Sequence, residues 1–87
     1  MKAIWKFELE LQGDQLIHMP VDAEIISYQS QNGRIVIWIV VDIWQKMTEP
    51  RKFRLIGTGQ PFEDFGGSYI GSAQNNGFVW HLYEIRI

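Results

Sequence analysis

The run Arg34-Ile35-Val36-Ile37-Trp38-Ile39-Val40-Val41-Asp42-Ile43 leaves a folding chain few options. It is entered through Gln31-Asn32-Gly33. Asn-Gly ahead of a β-branched run signals a tight hairpin, because a type I′ turn requires positive φ at both central residues. The run itself scarcely alternates. A strand apolar on both faces is stable only where both faces are covered. In so short a chain it must be a central strand, packed on one side by its own fold and on the other by further chain or a second subunit.

Length and composition narrow the class. A chain of 87 residues is one domain, residues 1–87, near the lower limit of what one hydrophobic core holds together. Its 46% hydrophobic and 14% aromatic content excludes disorder and favours β structure, since aromatic and β-branched side chains suit a pleated, half-buried surface. Ten acids against eight Lys and Arg give a net charge of −2. Such a balance offers no positive excess for phosphate contacts and disfavours nucleic acid as a partner. The absence of cysteine removes disulfides, thiolate zinc sites and cysteine nucleophiles, and points to a reducing cytoplasm. Met1-Lys2-Ala3-Ile4-Trp5-Lys6 lacks the continuous apolar core of a signal peptide. The run from Ile35 to Ile43 is about half the ~20 residues of a membrane helix, so no membrane partner is expected.

The rest of the chain reads as further strands. Residues 2–11 alternate, with Ala3, Trp5, Phe7, Leu9 and Leu11 expected inward and Lys2, Lys6, Glu8 and Glu10 outward. Gln12-Gly13-Asp14-Gln15 places Gly where a type II′ turn wants it, so residues 15–19 are expected to return along the first strand and stop at Pro20. Residues 23–31 form a strand ending at the Asn32-Gly33 turn. Residues 44–50 read as a loop, and residues 51–56 as a strand with Phe53 and Leu55 inward and Lys52 and Arg54 outward. The glycine-rich stretch 57–67 is irregular. A strand over 68–73, a second Asn-Gly turn at Asn76-Gly77, and a last strand over 78–87 follow; the last carries Phe78, Trp80 and Leu82 on one side and Val79, Tyr83, Ile85 and Ile87 on the other. No helical period appears. The pattern predicts an all-β antiparallel sandwich or barrel of six to seven strands joined by hairpins. Two strands with two apolar faces exceed what one small sandwich should bury, which predicts a homo-oligomer, dimeric or higher.

Chemistry-bearing residues are sparse. Gly57-Thr58-Gly59-Gln60-Pro61 follows a strand directly, where backbone N–H groups can approach an anion, but it lacks the Lys-Ser/Thr ending of a P-loop and the helix that would follow one. A bulge and turn explain such glycines as well. His18 and His81 are flanked by apolar residues and have no ligand spacing around them, so no metal or cofactor is expected. His81 has Ser68 and Ser72 as hydroxyl partners, yet there is no Gly-x-Ser-x-Gly elbow and no catalytic residue is assigned. Trp5 and Trp38 are expected in the core. Trp80 fits core packing or a subunit contact, and Trp44, beside Lys46, fits stacking on a planar group as well as it fits packing. A ligand site built from these parts would take donors from Gly57, Thr58, Gly59 and Gln60, charge from Arg51 and Arg54, and a stacking face from Trp44 or Tyr69. In that reading Arg54 grips the ligand.

The chain also resembles a family of small proteins of unassigned function encoded by tailed bacteriophages. The likeness lies in Lys2-Ala3-Ile4-Trp5-Lys6-Phe7, Met19-Pro20-Val21-Asp22-Ala23-Glu24-Ile25, Gln29-Ser30-Gln31-Asn32-Gly33 and Trp38 through Asp42. It continues in Phe53-Arg54-Leu55-Ile56-Gly57-Thr58-Gly59-Gln60-Pro61, Tyr69-Ile70-Gly71 and Phe78-Val79-Trp80-His81-Leu82-Tyr83-Glu84. The resemblance implies an accessory protein working in the host bacterial cytoplasm, a class that includes counter-defence proteins, and carries no catalytic assignment. Three readings compete. The first is a non-enzymatic protein that sequesters a small nucleotide-like immune signal. The second is a direct inhibitor that binds a host defence protein, and the third an enzyme such as a nucleotide hydrolase.

Overall fold

The computed structural model describes residues 1–86, so Ile87, expected on one face of the last strand, lies outside the described residues. Seven strands follow one another: β1 (Lys2–Leu9), β2 (Asp14–Pro20), β3 (Glu24–Gln31), β4 (Arg34–Asp42), β5 (Thr48–Gly57), β6 (Ser68–Asn75) and β7 (Phe78–Ile85). They make two antiparallel sheets, ordered β1-β4-β3 and β2-β5-β7-β6, stacked as a small β-sandwich. No helix long and apolar enough to cross a membrane occurs among the described residues.

Both Asn-Gly turns form as expected. Asn32 and Gly33 have φ of 52° and 79°, Asn76 and Gly77 have 53° and 83°, and each pair links two neighbouring strands by a two-residue connection. β4 is the central strand of its sheet. Its Ile35, Ile37, Ile39 and Val41 face Phe53, Leu55 and Leu82 of the other sheet across one core that also takes in Leu9, Met19, Ala23 and Tyr28. On its outer face Lys6 reaches across β4 to Gln31 (2.8 Å), and Val36 between them is only 3% exposed. The second face of the run is thus partly covered by the sheet's own side chains.

Several expectations fail for identifiable reasons. The Gly13-Asp14 hairpin does not form: β2 pairs with β5, not with β1, and Gly13 is absent from the positive-φ residues. The connection crosses between sheets instead, held by a reciprocal pair of bonds in which Glu10 N–H donates to Gln15 Oε1 and Gln15 Nε2 to the Glu10 carbonyl, both 2.9 Å. Pro20 ends β2 inside the ladder, which an edge strand tolerates. β5 begins at Thr48 rather than Arg51, because its first residues pair with β2 alone, leaving Pro50 free of any ladder on its other side. Trp5 is on the inner face, opposite Ile39, yet 42% exposed, because β1 is an edge and the sandwich is open beside it.

The other margin is closed. The Tyr28 hydroxyl on β3 donates to the Trp80 carbonyl on β7 (3.1 Å), and Asn75 Nδ2 on β6 donates to the Gly33 carbonyl (2.9 Å). Burial pushes the Tyr28 hydroxyl from 10.0 up to about 12, with a smaller push from Tyr69. A raised folded-state pKa means a contribution that is complete below the unfolded value and lost as pH climbs toward the folded one. We therefore expect stability to fall between pH 10.0 and about 12. Urea midpoints measured over that interval should decline less steeply in Tyr28→Phe than in the wild type; parallel declines would assign the loss to other groups.

Candidate functional site

Because β7 lies between β5 and β6, the chain leaving β5 must pass over a strand to start β6. The connection, residues 58–67, folds back over the outer face of the four-stranded sheet. Antiparallel register sets two rows across that face. Ile56, His81 and Ser72 are one row, and Arg54, Tyr83 and Tyr69 the next. The loop lays two aromatic rings on the second row. Phe65 sits edge-on to Tyr83 at 5.3 Å, Phe62 is 6.2 Å from Tyr83 and 5.9 Å from Phe65, and Tyr69 meets Tyr83 from the other side at 5.4 Å. The Arg54 guanidinium lies 4.4 Å from the Phe65 ring centre. The second apolar face of β7 is therefore covered in large part by the chain's own loop.

The first row carries a chain of hydrogen bonds. The Tyr69 and Ser72 hydroxyls are bonded, Ser72 Oγ lies 2.6 Å from His81 Nδ1, and His81 Nε2 lies 2.8 Å from Thr58 Oγ1. Both imidazole nitrogens are thus engaged by hydroxyls. A hydroxyl accepts or donates as needed, so a neutral ring is satisfied in either tautomer. The relay ends on hydroxyls, with no carboxylate to hold an imidazolium as the acid of a catalytic triad does. Beside it opens a hollow of about 290 Å³ lined by Ile56, Gly57, Thr58, Gly59, Gln60, Phe62, His81 and Tyr83.

The proposed ligand residues divide. Gly57, Thr58, Gly59 and Gln60 rim this hollow, Tyr69 joins it through Ser72 and Tyr83, and Arg54 flanks it through Phe65. The loop's donors are largely engaged within the chain: Gly57 N–H donates to Gln60 Oε1 (3.1 Å), Thr58 N–H to the Val79 carbonyl (3.1 Å) and Gln60 N–H to the Gly57 carbonyl (3.0 Å). Arg54 is paired too, forking onto Asp14 at 2.6 and 2.8 Å, and its hydrogen bond holds the Asp14 carboxyl below the usual carboxylate value.

Arg51 and Trp44 lie elsewhere. Arg51 is on the inner face, six positions before Gly57 on the same strand, about 20 Å away at strand rise. It forks onto Glu84 at 2.6 and 2.8 Å and donates to the Ala23 carbonyl, bridging the two sheets. Trp44 is in the β4–β5 connection, near the opposite end of β5, with its N–H on Asp42. Arg51 is expected from the sequence to supply charge to the loop at the end of its strand, but it shares the inward face of Phe53 and Leu55 and is spent on Glu84 and the Ala23 carbonyl. Phe62, Phe65 and Tyr83 carry no sequence signal as a group, because only the loop's return over the sheet unites them. Among the described residues no cluster of His, Asp and Glu is arranged to hold a metal.

No curated protein and no solved structure matches the chain. Residues 1–86 match a family described as a domain of unknown function, DUF7352, and the chain belongs to that family.

Proposed function

We propose that this chain is a non-catalytic binding protein that holds a planar, nucleotide-like small molecule in the hollow under the Gly57–Gln60 loop. The observation that carries the reading is the pairing of aromatic faces, Phe62 and Tyr83, with a hydrogen-bonded row of Thr58, His81 and Ser72 at one open hollow. Ring ligands are recognised by such a combination of apolar face and a few fixed polar groups. The arginine beside the hollow is already neutralised by Asp14, so recognition rests on the ring and its polar edge more than on phosphate. This fits a base or nucleoside portion better than a bare polyphosphate. On this reading the protein is a bacteriophage accessory product that acts in the host cytoplasm by removing an immune signal from circulation.

A second reading, direct inhibition of a host defence protein, is favoured by a different region. Met1, Ile43, Trp44 and Met47 are 43–70% exposed around one end of the sandwich, an apolar tip suited to a protein contact.

Titration calorimetry with adenosine and adenosine monophosphate tests the first reading, with mass spectrometry of whatever the denatured protein releases after purification from infected cells. Thr58→Val and His81→Phe should each weaken binding about three- to tenfold, the worth of one or two neutral hydrogen bonds. Arg54→Ala should change it less. Equal affinity in wild type and both variants, or no binding by either compound and no released nucleotide, would rule the site out.

A further inference from the structure

We propose that a second copy of this chain pairs antiparallel along the free edge of β1, about a two-fold axis at Trp5, to make one continuous six-stranded sheet. Free strand edges invite such pairing unless bulges, proline or covering chain blunt them. β3 and β6 both carry bulges at a margin tied by Tyr28 to the Trp80 carbonyl and by Asn75 to the Gly33 carbonyl, and β2 ends in Pro20. β1 has no bulge, proline or covering chain along its regular ladder with β4 from Lys2 to Leu9, and the edge charges it does carry, Lys2, Lys6 and Glu8, are of both signs.

The backbone sets which residues are available. Ile43 N–H donates to the Met1 carbonyl (3.0 Å), so odd-numbered residues of β1 bond toward β4, and Lys2, Ile4, Lys6 and Glu8 present their N–H and C=O groups to the open side. The next such residue, Glu10, is closed off by Gln15. The usable edge therefore runs from Lys2 to Glu8.

Charge selects the register. β1 is basic toward one end, Lys2 and Lys6, and acidic toward the other, Glu8 and Glu10; Glu8 is paired with Arg34 on the outer face, and Glu10 lines a hollow of about 500 Å³ that also takes in Lys52. Only an antiparallel partner sets one half against the other. Centring the axis on Lys6 would oppose two lysines, and centring it on Phe7 would require the backbone of Glu10. Centring it on Trp5 places Lys2 against Glu8 of the second copy, twice by symmetry, so that Glu8 would be shared between Lys2 and its own Arg34, and uses every open backbone group. It also sets the exposed inner-face Trp5 rings against each other and brings Ile4, 61% exposed, beside the stem of Lys6 of the second copy. Lys6 itself points away from the axis, toward Gln31.

Light scattering or sedimentation at micromolar to submillimolar concentration should give twice the 10.2 kDa of one chain. Ile4→Pro removes an N–H that β4 does not use, and an edge strand accepts proline there; it should yield a folded single chain by circular dichroism and mass. Lys2→Glu should raise the dimer dissociation constant by at least about tenfold by opposing like charges at two positions. Combining it with Glu8→Lys should restore the dimer. A wild-type mass of one chain, a dimer indifferent to Ile4→Pro, or a double exchange that fails to recover association would each overturn the proposal.

Discussion

Truncating Phe53 to alanine is expected to destabilise the domain by about 3–5 kcal/mol, the range for removing a fully buried aromatic side chain and leaving a cavity. Phe53 is 0% exposed, the largest of the fully buried side chains, and sits on the central part of β5 where β2 and β7 flank it and β4 lies above. Every one of those strands is already fixed by its own ladder, so none can move in to fill the space. A domain of this size has roughly 4–13 kcal/mol of stability at 0.05–0.15 kcal/mol per residue. The variant should therefore melt tens of degrees lower or fail to fold at physiological temperature. Urea unfolding measures it. A loss below about 1 kcal/mol would mean that the core repacks around the gap.

Arg51→Ala should cost about 2–3 kcal/mol, less than the 3–5 kcal/mol of a fully buried broken pair because some solvent reaches it. The side chains of Arg51 and Glu84 are 17% and 24% exposed. Removing the guanidinium leaves Glu84 without its forked partner and the Ala23 carbonyl without a donor. Arg34→Ala provides the contrast. Its pair with Glu8 is on open surface, where solvent screens both charges, so its loss should be far smaller. If the two variants unfolded at the same denaturant concentration, the bridge between the sheets would be worth no more than a surface contact. Any adenosine binding at the proposed hollow should be untouched by Arg51→Ala, since the residue faces the core.

The turns were legible where the backbone demanded a particular residue. Asn32-Gly33 and Asn76-Gly77 need positive φ at both positions, and few other dipeptides supply it. Gln12-Gly13-Asp14 looks similar on paper, but a glycine permits a turn without requiring one, and nothing local says which strand β2 will join. Pairing of β1 with β4 and of β2 with β5 is decided by which buried faces fit together, and that information is spread over the whole chain. The same limit shaped the candidate site. The loop at Gly57–Gln60 announced itself by composition, and Tyr69 by its place on a strand. The rows Ile56–His81–Ser72 and Arg54–Tyr83–Tyr69 exist only once β7 is known to lie between β5 and β6. Arg51 shares a strand with the loop, but alternation from Phe53 and Leu55 turns it to the inner face, and six positions of strand rise set it about 20 Å from Gly57.

The strand order has a consequence for how the chain acquires its shape. Only β3–β4 and β6–β7 are neighbours both in sequence and in a sheet, so these hairpins can close in microseconds. β1 is synthesised well before β4 yet must wait for it, as Lys2 waits for Asp42, and β2 must wait for β5, as Asp14 waits for Arg54. Distant pairings of this kind slow folding because the intervening loop must be ordered before any contact rewards it. Through that interval the amphipathic segment bearing Ala3, Trp5, Phe7 and Leu9 is unpaired on both sides. An apolar strand left unpaired in this way is exposed to aggregation until β4 arrives.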